Sequence, residues 1–231
     1  MRLALLLLAT ASHAQFTQRG FFEARTTLYP QTAPGDSGRA VVEGLLRWEP
    51  SAQLSPTLKL LGGLDARTDT HRQVEREGRL DWQDRRAQRP AFSLRRLSAQ
   101  WHRGPVTVEV GKQFIRWGKA DILNPTDRFA PRDYLSVVDN DFLAVTAARV
   151  TVESGADTVD LVVAPRFTPS RTPLFNQRWV ALPAELSALR LIDMGARIPG
   201  RAQFGARWNH NGRGYEFSAV LYDGFHLPAA D

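Results

Sequence analysis

The feature that most constrains the fold is an alternation of apolar and polar side chains along segments of about ten residues. In one of them, Phe204 and Ala206 share a face and Arg207 falls on the opposite face. Transmembrane β-strands have this length, with charge on one face and aromatic residues near the ends, whereas strands of soluble sandwiches usually have about five or six residues. The alternating segments are 19–28, 39–49, 58–67, 92–101, 106–112, 144–152, 158–166, 192–198, 201–209 and 215–222. The pattern predicts an all-β fold, an antiparallel up-and-down transmembrane β-barrel with about ten strands present.

Long and short linkers alternate between these segments. Short turns are expected at 50–56, 102–105, 154–157 and 199–200, and long linkers at 30–38, 68–90, 117–141 and 167–187. Outer-membrane barrels have this rhythm because their periplasmic turns are short and their extracellular loops are long. The linker at 209–214 is an exception, since it is shorter than the rhythm predicts. The rhythm favours a barrel over a soluble β-sandwich.

Two segments break the alternation, and a third, 144–152, is apolar on both faces except at Arg149. Phe92 and Leu94 are out of phase with Leu97 in the same segment. Farther along, unbroken alternation from Val110 would turn Lys112 toward lipid. A β-bulge shifts the facing of a strand by one residue. We therefore expect a bulge near Gly111, which lies between Val110 and Lys112.

Residues 1–14 have the features of a secretory signal peptide. Met1-Arg2 supplies a short positive region, Leu3 to Ala9 is apolar, and Ser12-His13-Ala14 has the small residues that precede a cleavage site. The apolar stretch is far shorter than the roughly 20 residues of a membrane-spanning helix. We therefore predict a signal peptide at 1–14 and a β-barrel domain at 15–231, exported through the periplasm to the outer membrane.

Composition and motif content argue against several function classes. The 231 residues include no cysteine, so disulfides and thiolate metal sites are excluded. The net charge is +6, but the basic residues are scattered and no nucleic-acid-binding motif is present, so we expect no nucleic-acid partner. The histidines lack H-x-x-x-H spacing, and no G-x-S-x-G motif occurs. We expect neither enzymatic activity nor a cofactor.

The densest motif is GKQFIRWGKAD at 111–121, followed by NPTD at 124–127 and PRDY at 131–134. Further matches are VAPRFTPSR at 163–171 and the segment that ends at Tyr222-Asp223-Gly224. Over most of residues 105–225 this set resembles a family of largely uncharacterised, porin-like outer-membrane β-barrel proteins of Gram-negative bacteria. The resemblance implies an outer-membrane barrel and no particular chemistry. Because the family pattern normally continues beyond Asp231, it also implies that 15–231 is the N-terminal part of a longer barrel, with a complete barrel of about ten strands as the alternative.

The motif region is the candidate functional site. Pro125 and Pro131 favour extended or turn backbone in the residues before them, and the loop carries both signs of charge. Two hypotheses remain open: the loop folds into the lumen and its ion pairs set pore size and selectivity, or it is a surface loop whose charged side chains cap turns. The candidate constriction or binding residues are Lys112, Arg116, Lys119, Asp121, Asn124, Asp127, Arg132, Asp133, Arg166 and Arg171.

The function predicted is a porin-like channel for small polar solutes. Basic residues outnumber acidic ones on the inward faces, which predicts a preference for anions. The alternative is a soluble or surface β-sandwich that binds carbohydrate or protein. The expected partners are the lipid bilayer of the outer membrane and small polar solutes, and self-association into a homo-oligomer is left open. If Ala206 faces lipid, arginine there should destabilise the barrel, and arginine at 205 should be nearly neutral.

Overall fold

The computed structural model describes residues 15–33, 36–118, 124–136, 140–175, 177–180 and 197–225. The predicted signal peptide lies outside these residues. Within them there is no helix, and so none long and apolar enough to cross a membrane. The strands are β1 (Gln15–Leu28), β2 (Ala40–Ser55), β3 (Leu58–Asp69), β4 (Leu80–Asp81), β5 (Phe92–Arg103), β6 (Val106–Gln113), β7 (Val145–Ser154), β8 (Asp157–Ala164), β9 (Gln203–Asn211) and β10 (Glu216–Asp223).

All ten strands belong to one sheet, in the order β1-β2-β3-β5-β6-β7-β8-β9-β10, and β4 adds to β5 as a short parallel side pairing. Every other neighbouring pair is antiparallel. The predicted all-β, antiparallel up-and-down architecture is therefore confirmed. Strands β1 and β10 are the two edges, and in the part of the chain described here the sheet is not closed into a barrel.

Short and long connections alternate between the described strands, the side strand β4 apart. The short ones are turns at 56–57, 104–105, 155–156 and 212–215, and the long ones, here called the long loops for their described residues, span 29–39, 70–91, 114–144 and 165–202. The predicted turn at Pro199-Gly200 is wrong, because β8 pairs directly with β9 and leaves no place for a strand between them. Of the predicted strand at 192–198, residues 192–196 lie outside the described residues and 197–198 belong to no strand. Because β9 is the next strand after β8 in the sheet, the short linker before β10 falls where the rhythm requires a turn.

In a water-soluble sheet the exposed face is polar and the buried face is apolar. In this sheet the exposure of the two faces is reversed. One face, here called the apolar face, exposes large side chains, including Phe22 at 71 % and Leu221 at 77 %. The other, the polar face, buries acids such as Asp65 at 5 % and Asp160 at 0 %. The exposed side chains of the apolar face include Leu46, Trp48, Leu60, Leu97, Val110, Leu161, Val163, Phe204, Trp208 and Phe217.

Two irregularities explain the breaks in alternation. The register of β3 against β5 shifts between Gly63 and Leu64, so that Arg95 is an extra residue in β5. This bulge keeps Leu94 and Leu97 on the apolar face and turns Arg95 and Arg96 toward the polar face. In β6 the pairing continues without a register shift, but Gly111 has a φ of 123°. This backbone turn buries the next side chain, Lys112, instead of turning it outward. The prediction of a bulge near Gly111 is therefore wrong, because the register is continuous there, although Lys112 does not face lipid.

The long loops pack on the polar face. Ile115 and Trp117 follow β6, and together with Phe129 they pack against small and branched side chains of β7 and β8. The cluster comprises Ile115, Trp117, Phe129, Val145, Ala147, Val162 and Ala164, with Val220 and Tyr222 against it. Gly205 of β9 makes room for this packing, because a Cβ there would lie 2.5 Å from Phe129 and 2.8 Å from Trp117. The loop that carries the motif is thus held against the sheet.

Candidate functional site

Three of the predicted site residues meet in one buried network. Arg171 donates to Asp133 at 3.0 Å and to Asp84 at 2.7 Å. Lys112 Nζ lies 2.5 Å from the other oxygen of Asp84. Arg89 donates to both oxygens of Asp133, at 2.9 and 3.1 Å. We call Lys112, Asp84, Arg171, Asp133 and Arg89 the anchoring network, because it joins β6 to three long loops.

The anchoring network is almost completely shielded from solvent, since none of its side chains is more than 6 % exposed. Burial alone would raise the pKa of Asp133, but Arg89 and Arg171 outweigh it and hold that pKa below its usual value. Burial opposes ionisation of Asp84 in the same way, and Arg171 and Lys112 lower its pKa. The two carboxylates raise the pKa of Arg171 against the effect of its own burial. The carboxylates of Asp84 and Asp133 and the guanidinium of Arg171 are therefore charged at neutral pH.

Backbone pairing supports these ion pairs. Asp133 and Arg171 lie in an isolated parallel bridge, in which Arg171 N donates to the Arg132 oxygen and Tyr134 N donates to the Arg171 oxygen, both at 2.9 Å. A second parallel bridge joins Val74 to Arg89 within the 70–91 loop. The side chains of the network are therefore held by ordered backbone, which gives ion pairs better geometry than free loops would.

A second charged group connects the motif loop to the strands. Asp141 accepts hydrogen bonds from Arg47 at 2.7 Å and from Arg95 at 3.2 Å. Arg47 also donates twice to Asp65, at 2.8 and 2.9 Å, and Arg67 lies 3.0 Å from the same carboxylate. Burial would raise the pKa of Asp141, but the arginines lower it. Arg95 also donates to Glu49 at 3.1 Å, and Glu49 accepts from Arg19 at 2.6 Å, so four arginines surround three acids in this group.

The strands carry a third group farther along the polar face. Asp160 of β8 accepts from Arg149 at 2.7 Å and from Arg207 at 2.6 Å, and Thr151 donates to it at 2.6 Å. Arg207 also donates to the Trp117 carbonyl at 3.2 Å, which ties the motif loop to β9. Cross-strand pairs of opposite charge stabilise neighbouring strands. This group, too, has one more cation than anions.

Asp127 and Asn124 behave as the turn-capping hypothesis predicts. The Asp127 carboxylate accepts from the backbone N–H groups of Trp117 and Gly118, both at 2.6 Å. The Asn124 carbonyl accepts from Asp127 N at 3.0 Å, and its side chain packs on Gly118, where a Cβ would collide with it. These two residues shape the loop instead of joining the anchoring network.

Arg116 and Arg132 form a separate arrangement on Phe142. Their guanidinium carbons lie 4.1 and 4.0 Å from the centre of that ring. Arg132 and Phe142 also form an isolated antiparallel bridge, and Arg132 donates to the Asn140 side chain at 3.1 Å. The two arginines are thus brought together by an aromatic residue that the motif analysis did not select.

The remaining predicted residues lie apart from these groups. Arg166 is exposed after β8 and makes no ion pair with the residues described. Lys119 and Asp121 lie outside the described residues. In the described ranges, no group of three or more His, Asp or Glu side chains could hold a metal ion.

Sequence reasoning did not select Asp84, Arg89, Asp141 or Phe142, although each of them contacts a predicted site residue or a neighbouring strand. Their partners are distant in sequence, so no local period or spacing indicates the pairing. The one local signal was the high density of charge in the 68–90 linker, since a loop rich in both signs of charge can be buried only when the charges pair.

No protein-family model matches this chain, and no curated protein matches it either. The likeness of the 111–134 motif to porin-like proteins therefore stays a prediction.

Proposed function

We propose that this chain forms part of a porin-like β-barrel of the Gram-negative outer membrane, which passes small polar solutes. The observation that carries the proposal is the reversed facing of the sheet, with large apolar side chains exposed on one face and paired charges buried on the other. The proposed channel runs along the polar face, and the proposed lipid contact is the apolar face.

The apolar face favours lipid over water on energetic grounds. Fully burying one Leu, Val or Phe side chain contributes about 1.5–3 kcal/mol, and this face repeats such residues from β1 to β10. Soluble monomers rarely expose apolar patches larger than a few hundred Å². Near the turns, Trp208 packs edge-on against Phe217 at 5.0 Å, and His210 stacks against both Tyr215 and Phe217. Aromatic clusters at strand ends are typical of the girdles at the two membrane interfaces.

The polar face supports a hydrated interior narrowed by loops. Its charges are paired across neighbouring strands and with the loops, and the loops approach the sheet through the anchoring network and through Asp141. A loop held in the lumen by ion pairs limits pore size, and the charges around it influence selectivity. The predicted constriction is therefore proposed at the anchoring network and the neighbouring Asp141 group.

Membrane insertion and conductance test the proposal directly. The full chain would be refolded into phosphatidylcholine vesicles, floated on a density gradient, and analysed by electrophoresis with and without heating. The expected result is co-flotation, faster migration of the unheated protein, and stepwise conductance in a planar bilayer. Chain that was denatured and not refolded is the control. A soluble, vesicle-free protein with no heat-dependent migration would instead support a β-sandwich and overturn the proposal.

A further inference from the structure

We infer that Arg116 and Arg132 form a binding site for small oxyanions, meaning solutes that carry a carboxylate or phosphate group. The inference deepens the proposed function and rests on it only in placing the site inside the channel. Its physical basis is a pair of guanidinium groups held on one aromatic ring, Phe142, with no acid of the described chain bound to either of them.

Phe142 brings the two positive charges close together. Each guanidinium carbon lies about 4 Å from the ring centre, at 4.1 and 4.0 Å, so the two carbons cannot be farther apart than the sum of these distances. Contact with the ring stabilises each cation through its quadrupole. The two like charges repel, however, and an anion bound beside them, within reach of both guanidinium groups, would relieve that repulsion.

The neighbouring acids are already neutralised by other residues. Asp133 follows Arg132 directly, but its carboxylate is bound to Arg89 and Arg171. Asp141 precedes Phe142, but its carboxylate is bound to Arg47 and Arg95. In the described part of the chain, therefore, the carboxylates adjoining Arg132 and Phe142 are bound elsewhere and leave Arg116 and Arg132 as local surplus positive charge.

Both arginines also have guanidinium N–H donors that no described residue uses. Ile115 and Trp117 are buried against the sheet, while Arg116 between them is exposed on the other side. Arg132 is fixed by its bridge to Phe142 and by its backbone N–H, which donates to Ser170 at 3.1 Å. Its side chain makes one hydrogen bond among the described residues, to Asn140. A guanidinium has five N–H donors in a planar fork that matches carboxylate and phosphate oxygens, so most of these donors remain for a ligand.

Titration calorimetry on the full chain refolded in detergent tests the site, with succinate and inorganic phosphate as separate probes and glucose as the neutral comparison. The wild-type chain is expected to bind at least one of the two anions and not glucose. Binding of succinate alone identifies carboxylate solutes, binding of phosphate alone identifies phosphoryl solutes, and binding of both identifies a general oxyanion site.

The double variant Arg116→Gln with Arg132→Gln is expected to weaken binding about tenfold or more, because each arginine contributes a charge-assisted hydrogen bond. The matched control, Arg103→Gln with Arg213→Gln, removes the same charge at the turn end of the sheet and is expected to bind like wild type. Phe142→Leu keeps both charges but removes the ring, and should weaken binding, whereas Phe142→Tyr should not. If the double variant does not fold, Arg116→Gln alone, at an exposed position, gives the same comparison.

Two outcomes overturn the inference: no anion binding by the wild-type chain, or equal binding by the Arg116/Arg132 double variant. Channel conductance is measured on the same proteins, so the two proposals fail separately. Conductance without anion binding would support the proposed channel and overturn the anion site. Anion binding without conductance would support the site and overturn the channel.

Discussion

Asp133 and Arg171 are joined both through their backbones and through a 3.0 Å ion pair, although they belong to different long loops. Arg89 binds the same carboxylate from a third loop. Breaking a buried pair by removing one partner usually costs about 3–5 kcal/mol, because a buried charge is left uncompensated. We therefore expect Asp133→Asn to lower the free energy of unfolding by about that amount and to expose the 70–91 and 165–202 loops to proteolysis.

Asp223→Asn is the matched control for that variant, because Asp223 pairs with Arg201 at 2.7 Å in an arrangement where both side chains are more than half exposed. Exposed pairs contribute about 0–1 kcal/mol. Urea unfolding and limited trypsin digestion would compare the two variants. Equal losses would mean that the anchoring network contributes no more than a surface ion pair.

The buried carboxylates of the loops also predict how the protein responds to acid. Arginine or lysine partners outweigh burial and lower the pKa of Asp84, Asp133 and Asp141. A carboxylate with a lowered folded pKa stabilises the protein above its unfolded pKa of about 4, and this contribution is lost as the pH falls through the folded pKa. We expect the loops to stay packed from pH 7 to about 4 and to loosen only below that. Near-ultraviolet circular dichroism should then decrease while the far-ultraviolet β signal remains, and a transition between pH 5 and 7 would contradict this assignment.

Gly111 is expected to be one of the least replaceable glycines of the sheet. It has a φ of 123°, and a Cβ there would lie 2.3 Å from the Leu97 carbonyl oxygen. Gly111→Ala combines backbone strain with a clash, so we expect it to cost at least about 3 kcal/mol and to release Lys112 from Asp84. Gly155→Ala is the control, since that turn glycine also has a positive φ, of 58°, but open space around it. It should cost about 1–2 kcal/mol, and similar losses in urea unfolding would contradict the role assigned to Gly111.

Most strands could be predicted from the sequence because alternation is a local property. The segment predicted at 58–67 corresponds to β3, Leu58–Asp69, and that at 106–112 to β6, Val106–Gln113. The bulge at Arg95 could not be located, since a phase break in one strand does not show which residue its partner skips. The short β4 has too few residues for any period to appear.

The candidate site was only partly predictable for a related reason. The motif selected Lys112, Asp133 and Arg171; Asp133 and Arg171 pair directly, but Lys112 is linked to them through Asp84 of another loop. Contacts between loops depend on the folded sheet, not on spacing along the chain. The expectation that arginine at 205 would be neutral is wrong for the same reason, because Phe129 and Trp117 occupy the space beside Gly205.

The facing of the sheet can be tested at Ala206. It lies opposite Leu161 and Leu221 on the apolar face. In a bilayer, Ala206→Arg should destabilise by about 2–4 kcal/mol if the residue lies near the midplane, and Ala206→Leu should be tolerated. Ser218→Arg, on the opposite face of β10, is the control that should have little effect. Unfolding in lipid vesicles would measure all three variants. If Ala206→Leu lowered the free energy of unfolding more than Ala206→Arg, position 206 would not face lipid.

Ion selectivity follows from the charge balance of the polar face. Asp160 is shared by two arginines, and Glu49, Asp65 and Asp141 by four, so these groups carry surplus positive charge that concentrates anions in a channel. Lys59 shares that face, and no ion pair joins it to the described residues, so Lys59→Glu changes the charge without breaking a salt bridge. We expect a chloride-selective reversal potential in a potassium chloride gradient, reduced by Lys59→Glu and changed less by Arg213→Glu in the β9–β10 turn. Cation preference of the wild-type channel would contradict this prediction, because it would mean that the paired acids, and not the surplus arginines, determine the potential along the pore.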